Sequence, residues 1–164
     1  MTGRSVIHDT FTIERTYDLA PAGVFAAFST KEARNSWDDA DDLEPPQDEG
    51  DRHVTEFDFR VGGRERYTTD WEGTTYRYDG RYHDIVTSSR IVYSYAMYAD
   101  DTLISVSLAT IEFAESGDGT RFTWTEQGAY LDGYNGADAP EMRKGGTTEM
   151  IDALTAYLQR QGTH

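Results

Sequence analysis

Cysteine is absent from this chain of 164 residues, and with it go disulfides, thiolate nucleophiles and thiolate metal sites. That absence agrees with a reducing cytoplasm, where the chain is expected to reside. Basic residues are scarce: 15 Lys and Arg stand against 30 Asp and Glu, for a formal net charge of −15. Phosphate backbones and anionic lipid surfaces are bound mainly through clustered Lys and Arg, so neither nucleic acid nor a membrane is an expected partner of so acidic a protein. Long apolar runs are missing too. Nothing approaches the roughly 20 residues of a spanning helix, and Met1 to Thr10 lack the apolar core of a signal peptide. The length suits one domain with a real core, so 1–164 is read as a single soluble domain.

Familiar catalytic signatures are also lacking. There is no GxSxG elbow, Walker A sequence or GxGxxG, and Lys144-Gly145-Gly146-Thr147-Thr148 lacks the glycine spacing and preceding strand of a phosphate loop. His8, His53, His83 and His164 show no HxxxH-like pairing. Eight acidic residues crowd Asp38 to Asp51, but no frame through them supplies the glycine of a calcium loop, and Pro45-Pro46 marks an exposed connection. No metal and no cofactor is expected.

What the chain has is aromatic residues in an alternating pattern. Ten of its 21 aromatics lie between Phe57 and Tyr98, most of them tyrosine or tryptophan. Such side chains need a polar partner when buried, so they line wet cavities and interfaces more readily than dry cores.

The pattern organises into a sheet and three helices. A first strand spans Val6 to Tyr17, with Ile7, Phe11 and Ile13 on one face. Pro21 opens a helix carrying Val24, Phe25 and Phe28 on one stripe, and a second short helix carries Trp37. Further strands are expected at His53–Val61, Arg64–Trp71, Thr75–Ile85, Arg90–Tyr98, Leu103–Phe113 and Thr120–Tyr130, joined by turns such as Glu72-Gly73 and Gly117-Asp118-Gly119. Connections this short leave no room for crossover helices, so the sheet is antiparallel. Asp138, Pro140 and Glu141 offer a helix start, and Met150, Ile151, Leu154, Tyr157 and Leu158 form one stripe of a terminal helix. Gly145-Gly146 predicts a kink or a delayed start there. The layout is α+β.

Two polar residues on the strands invite comparison. Glu126 shares parity with Phe122 and Trp124, so if those rings face inward, a carboxylate does too, and it must be paired, protonated or beside water or ligand. The alternative is a structural role at the sheet's rim. Arg60, before Gly62-Gly63, could clamp a ligand carboxylate or satisfy Asp58 or Glu56. By parity Tyr67, Trp71, Tyr93, Tyr95 and Met97 are read as inward, and Tyr76, Tyr78 and Tyr98 as outward.

Pro21-Ala22-Gly23-Val24-Phe25-Ala26-Ala27-Phe28, Trp37, Asp58-Phe59-Arg60-Val61-Gly62-Gly63, Gly80-Arg81-Tyr82, Arg90-Ile91-Val92-Tyr93, Gly119-Thr120-Arg121 and Thr125-Glu126-Gln127-Gly128-Ala129-Tyr130-Leu131-Asp132-Gly133 occur in this order. The ordered set resembles the SRPBCC or START-like superfamily, in the branch similar to the C-terminal domain of the activator of the ninety-kilodalton heat-shock chaperone's ATPase. The resemblance implies a helix-grip fold: a curved antiparallel sheet of about seven strands wrapped around a long C-terminal helix, with two short helices after the first strand. It implies a cavity between sheet and helix and small apolar or amphipathic ligands. It does not imply chaperone activation, which in eukaryotic co-chaperones involves a separate N-terminal domain. Trp37, Arg60 and Glu126 carry over as motif residues without assigned roles.

The expected function is binding of a small apolar or amphipathic ligand in a pocket of about 300–1,000 Å³, the usual range for such sites. Trp37, Phe59, Tyr67, Trp71, Tyr93, Tyr95, Trp124 and Glu126 are its candidate residues on one side, with Met150, Leu154 and Tyr157 on the terminal helix. An alternative is a cyclase, hydratase or isomerase in which Glu126 is the base and a tyrosine hydroxyl polarises a carbonyl. A third is a homodimeric or chaperone-related interaction module using Tyr76, Tyr78 and Tyr98.

Overall fold

The computed structural model describes residues 4–38, 52–132 and 139–161. Ten elements follow in order: β1 (Val6–Tyr17), α1 (Pro21–Ser29), α2 (Lys31–Asp38), β2 (Arg52–Phe57), β3 (Arg64–Trp71), β4 (Thr74–Val86), β5 (Arg90–Ala99), β6 (Thr102–Ser116), β7 (Gly119–Leu131) and α3 (Ala139–Gln161). The seven strands form one antiparallel sheet in the order β1-β7-β6-β5-β4-β3-β2. Sequence neighbours pair from β2 through β7, as short turns require, and β1 closes against β7. The helix-grip architecture expected from the sequence is what the chain adopts.

Local chemistry sets several boundaries. β2 stops at Phe57, short of the expected Val61, because the chain turns through Asp58 to Gly63: the Gly63 amide donates to the Arg60 carbonyl, and Gly62 has φ 84°. A side chain at Gly63 would run into the Asp58 carbonyl. Glu72 and Gly73 both take positive φ, the two-residue turn whose twist suits a hairpin, and they place Trp71 opposite Thr74. α3 runs unbroken through Gly145-Gly146, so the expected delayed start does not occur; tertiary packing of the residues that follow outweighs the propensity deficit. The acidic segment beyond Asp38 and the helix start at Asp138 lie outside the described residues.

The inner face of the sheet changes character along its length. At one end Ile91, Ile111, Phe113, Phe122 and Trp124 meet Phe28 of α1 and Leu154 and Leu158 of α3, all buried in one cluster. Strand alternation keeps the same faces inward toward the other end, but there the residues become Tyr95, Ser105, Ser107 and Glu126. Thus one parity supplies both a dry core and a polar chamber.

The candidate cavity between sheet and terminal helix

At the polar end a cavity of about 200 Å³ lies between the sheet and α3. Tyr67, Tyr78, Tyr93, Tyr95, Met97, Trp124 and Glu126 line it from the strands, Arg34 from α2, and Met142, Arg143, Gly146, Thr147 and Met150 from α3. Met142, 71% exposed, marks its mouth. Stacked tyrosines, with Arg143 above them, hold the volume below the range expected from the sequence.

The tyrosine wall is a ladder built by register. Tyr67 stands opposite Tyr78, and their rings stack at 4.5 Å; Tyr78 in turn stacks on Tyr95 at 4.9 Å. Gly80 opposes Tyr95 in the register and leaves room for the ladder: a Cβ there would approach the Tyr78 ring to 2.8 Å. Burial keeps the Tyr78 and Tyr93 hydroxyls protonated far above the ordinary tyrosine range.

Glu126, only 1% exposed, sits at the junction of dry and polar ends. It accepts from the Tyr95 hydroxyl at 2.8 Å and from Trp124 Nε1 at 3.3 Å. Burial raises its pKa, opposed by the Tyr95 hydrogen bond, the positive charge of Arg143 and the Trp124 bond. Tyr95 is pushed up by burial and by the neighbouring Glu126 charge, so it serves as a donor. Arg143 reaches down from α3 to the same group: Nη1 donates to the Tyr95 hydroxyl at 3.0 Å and to Ser107 Oγ at 3.3 Å, and Nη2 donates to Ser105 Oγ at 2.8 Å. A relay therefore runs from Arg143 through Tyr95 to Glu126.

Arg34 is wired differently. Its Nη2 donates to Glu65 Oε1 at 2.9 Å, Glu65 also accepts from the Tyr82 hydroxyl at 2.9 Å, and the guanidinium lies 4.8 Å from the Trp37 ring. This buried ion pair fastens α2 to β3.

Of the residues singled out in the sequence, Tyr67, Tyr93, Tyr95, Trp124, Glu126 and Met150 come together around the cavity. Trp37 does not line it; it is fully buried between Phe28 and Arg34, donating Nε1–H to the Ala27 carbonyl at 2.8 Å. Phe59 packs on Phe25 and Tyr82 at the dry end. Leu154 is fully buried in the core and Tyr157 packs beside it, one and two turns further along α3 than the lining residues. The Trp71 side chain lies outside the described residues.

Two facings need correction or restatement. Tyr78 was expected outward, yet it is buried in the cavity wall, because direct pairing with Tyr67 puts both on one face. Tyr76 shares its parity and is half-buried, whereas Tyr98 does face outward, its ring 4.1 Å from the guanidinium of Arg77. Arg60 pairs with Asp58 at 2.6 Å, in the exposed turn and away from the cavity.

Sequence reasoning missed Arg34, Arg143, Ser105, Ser107 and Tyr78. A signal existed for several. Arg143 precedes Thr147 and Met150 by four and seven residues on the α3 stripe. Ser105 and Ser107 share parity with Ala109, Ile111 and Phe113 on β6.

A curved antiparallel sheet gripping a terminal helix, with a cavity between them, defines the helix-grip class of the SRPBCC superfamily, whose fold is commonly a ligand-binding scaffold. Residues 18–159 match the model of the family described as Activator of Hsp90 ATPase homolog 1-like protein, and the chain belongs to that family. Among solved structures it is similar to Mll3558 from Rhizobium loti, with 43% identity, a TM-score of 0.79 and coverage of 93% of this chain and 98% of that one. It is also similar to a protein from Rhizobium leguminosarum, at 39% identity and a TM-score of 0.82, covering 97% and 99% of the two chains. Ara h 8.0201, at 15% identity and a TM-score of 0.66 over 93% of this chain and 99% of that one, shares the fold. No curated protein matches the chain. Among the described residues no helix is long and apolar enough to cross a membrane.

Proposed function

We propose that this protein binds small amphipathic molecules in the cavity between its sheet and α3. The observation that carries the reading is the cavity's composition: aromatic rings and Met97 and Met150 supply apolar walls, while Glu126 and Arg143 supply a polar end. Small-molecule sites combine these features, largely apolar walls with a few placed polar groups. Gly146 supports the reading, because it lines the cavity and a side chain built on it would meet open space. A thermal-shift and native mass-spectrometry screen of lipids, polyketides, aromatic acids and their neutral analogues tests it. At least one class raises the melting temperature and adds a discrete mass; stability unmoved by every class contradicts it.

One observation favours acid–base catalysis in the same cavity as a second reading. The Glu126 carboxylate and the Tyr95 hydroxyl are 2.8 Å apart and both line the space. A carboxylate with a raised pKa is suited to take a proton from a carbon acid, while the spare N–H groups of the Arg143 guanidinium hold the developing oxyanion. Ligands found by the screen would then exchange the hydrogen beside a carbonyl with deuterated water, and Glu126→Gln would stop the exchange.

A further inference from the structure

Resting on the ligand-binding reading, we infer that the ligand is a small, flat, aromatic acid whose anionic group docks on Arg143 and whose ring lies along the tyrosine wall.

Two guanidinium groups line the cavity, and they differ in how their charge is met. Arg34 has the Glu65 carboxylate at 2.9 Å. Arg143 has only neutral oxygens, those of Tyr95, Ser105 and Ser107, and among the described residues no carboxylate lies within ion-pairing distance of it. Glu126 compensates it at one remove, through Tyr95, and already accepts from both Tyr95 and Trp124. Burial raises the Glu126 pKa, so the carboxyl holds its proton more readily and its compensation weakens.

Donors are also left over. Three of the five N–H groups of Arg143 are used, leaving Nε–H and one on Nη2. Nε with Nη2 is a side of the guanidinium able to take a carboxylate through two parallel bonds. The ring of Tyr130, which does not itself line the cavity, lies 5.4 Å from the guanidinium, and its hydroxyl is buried without a hydrogen-bond partner. A buried donor without a partner favours an acceptor brought within its reach. Spare groups at this end are therefore donors, which suits an anion. A cationic ligand would face two guanidinium groups.

Shape sets the rest. A cavity of about 150 Å³ holds a benzene ring, so the cavity of about 200 Å³ suits one or two fused rings. Tyr78 has both faces covered, by Tyr67 and by Tyr95, so what it turns to the cavity is a ring edge, against which a flat ligand ring packs edge to face. In a chain of net charge −15 the general field repels anions, so recognition must come from this local cation.

Isothermal titration of the full chain with 2-naphthoate and with 2-naphthamide tests the inference. The acid binds about tenfold or more tightly than the amide, as a charge-assisted paired contact supports. Arg143→Gln, checked for folding by circular dichroism, removes that preference while amide binding persists. Equal affinity for acid and amide in the unaltered protein overturns the inference and leaves the ligand-binding reading standing. A preference that survives Arg143→Gln also overturns it, and binding of neither compound counts against both.

Discussion

Glu126 carries a cost that depends on pH. Because burial raises its native pKa, the folded protein holds this proton to a higher pH than the unfolded chain does. Its contribution to stability is thus greatest below the ordinary glutamate value, about 4.3, and is lost as pH rises through the raised native value. Glu126→Gln cannot ionise and should show a flatter dependence of melting temperature on pH above the ordinary glutamate value, with the unaltered protein falling relative to it as pH rises. Parallel profiles would show that the site does not set this dependence. Glu126 was legible from its parity with Trp124, but its partners were not, since Tyr95 and Arg143 come from β5 and α3. Tyr78 was in principle legible: the Glu72-Gly73 turn fixes Trp71 opposite Thr74 and hence Tyr67 opposite Tyr78. Parity read within each strand, without that register, assigned it to the wrong face.

At the scale of elements, α3 gives up helix propensity where it covers the cavity. Gly146 sits in a helix with open space around its missing side chain. Gly146→Leu should raise stability by up to about 1 kcal/mol through helix propensity while filling the cavity and abolishing ligand binding. Chemical denaturation and titration of a ligand found by screening, done together, check both halves, and the rise in stability separates blocking from misfolding. α2 is held by the buried Arg34–Glu65 pair, whose side chains are 8% and 5% exposed. Arg34→Met or Glu65→Gln alone leaves the other charge buried and should cost about 3–5 kcal/mol in urea unfolding, and the double variant should cost clearly less than the two combined. Additive losses would mean that the two groups are not coupled. The elements themselves were legible because alternation and turn chemistry agree along the meander. The ion pair was not, since it joins residues 31 positions apart.

Across the whole molecule, strand parity builds two environments at once. Phe113, Ile111 and Ala109 are followed along β6 by Ser107 and Ser105, so a single inward face passes from dry core to polar chamber. The fold was readable because periodicity, short turns and the family's ordered motifs all pointed to one architecture. The cavity was readable only in part, because its far wall is a helix whose polar stripe member, Arg143, an apolar pattern does not count.

The chain's three tryptophans make the most direct test of the ligand site available, through their indole N–H signals in a nitrogen-15 correlation spectrum. Trp124 lines the cavity, and Trp37 is fully buried away from it. Titration with a panel of fatty acids, aromatic acids and neutral two-ring compounds should include at least one member that shifts the Trp124 indole signal saturably and leaves Trp37 unmoved. If no member moves Trp124, or if both signals drift together without saturating, the cavity is not a ligand site.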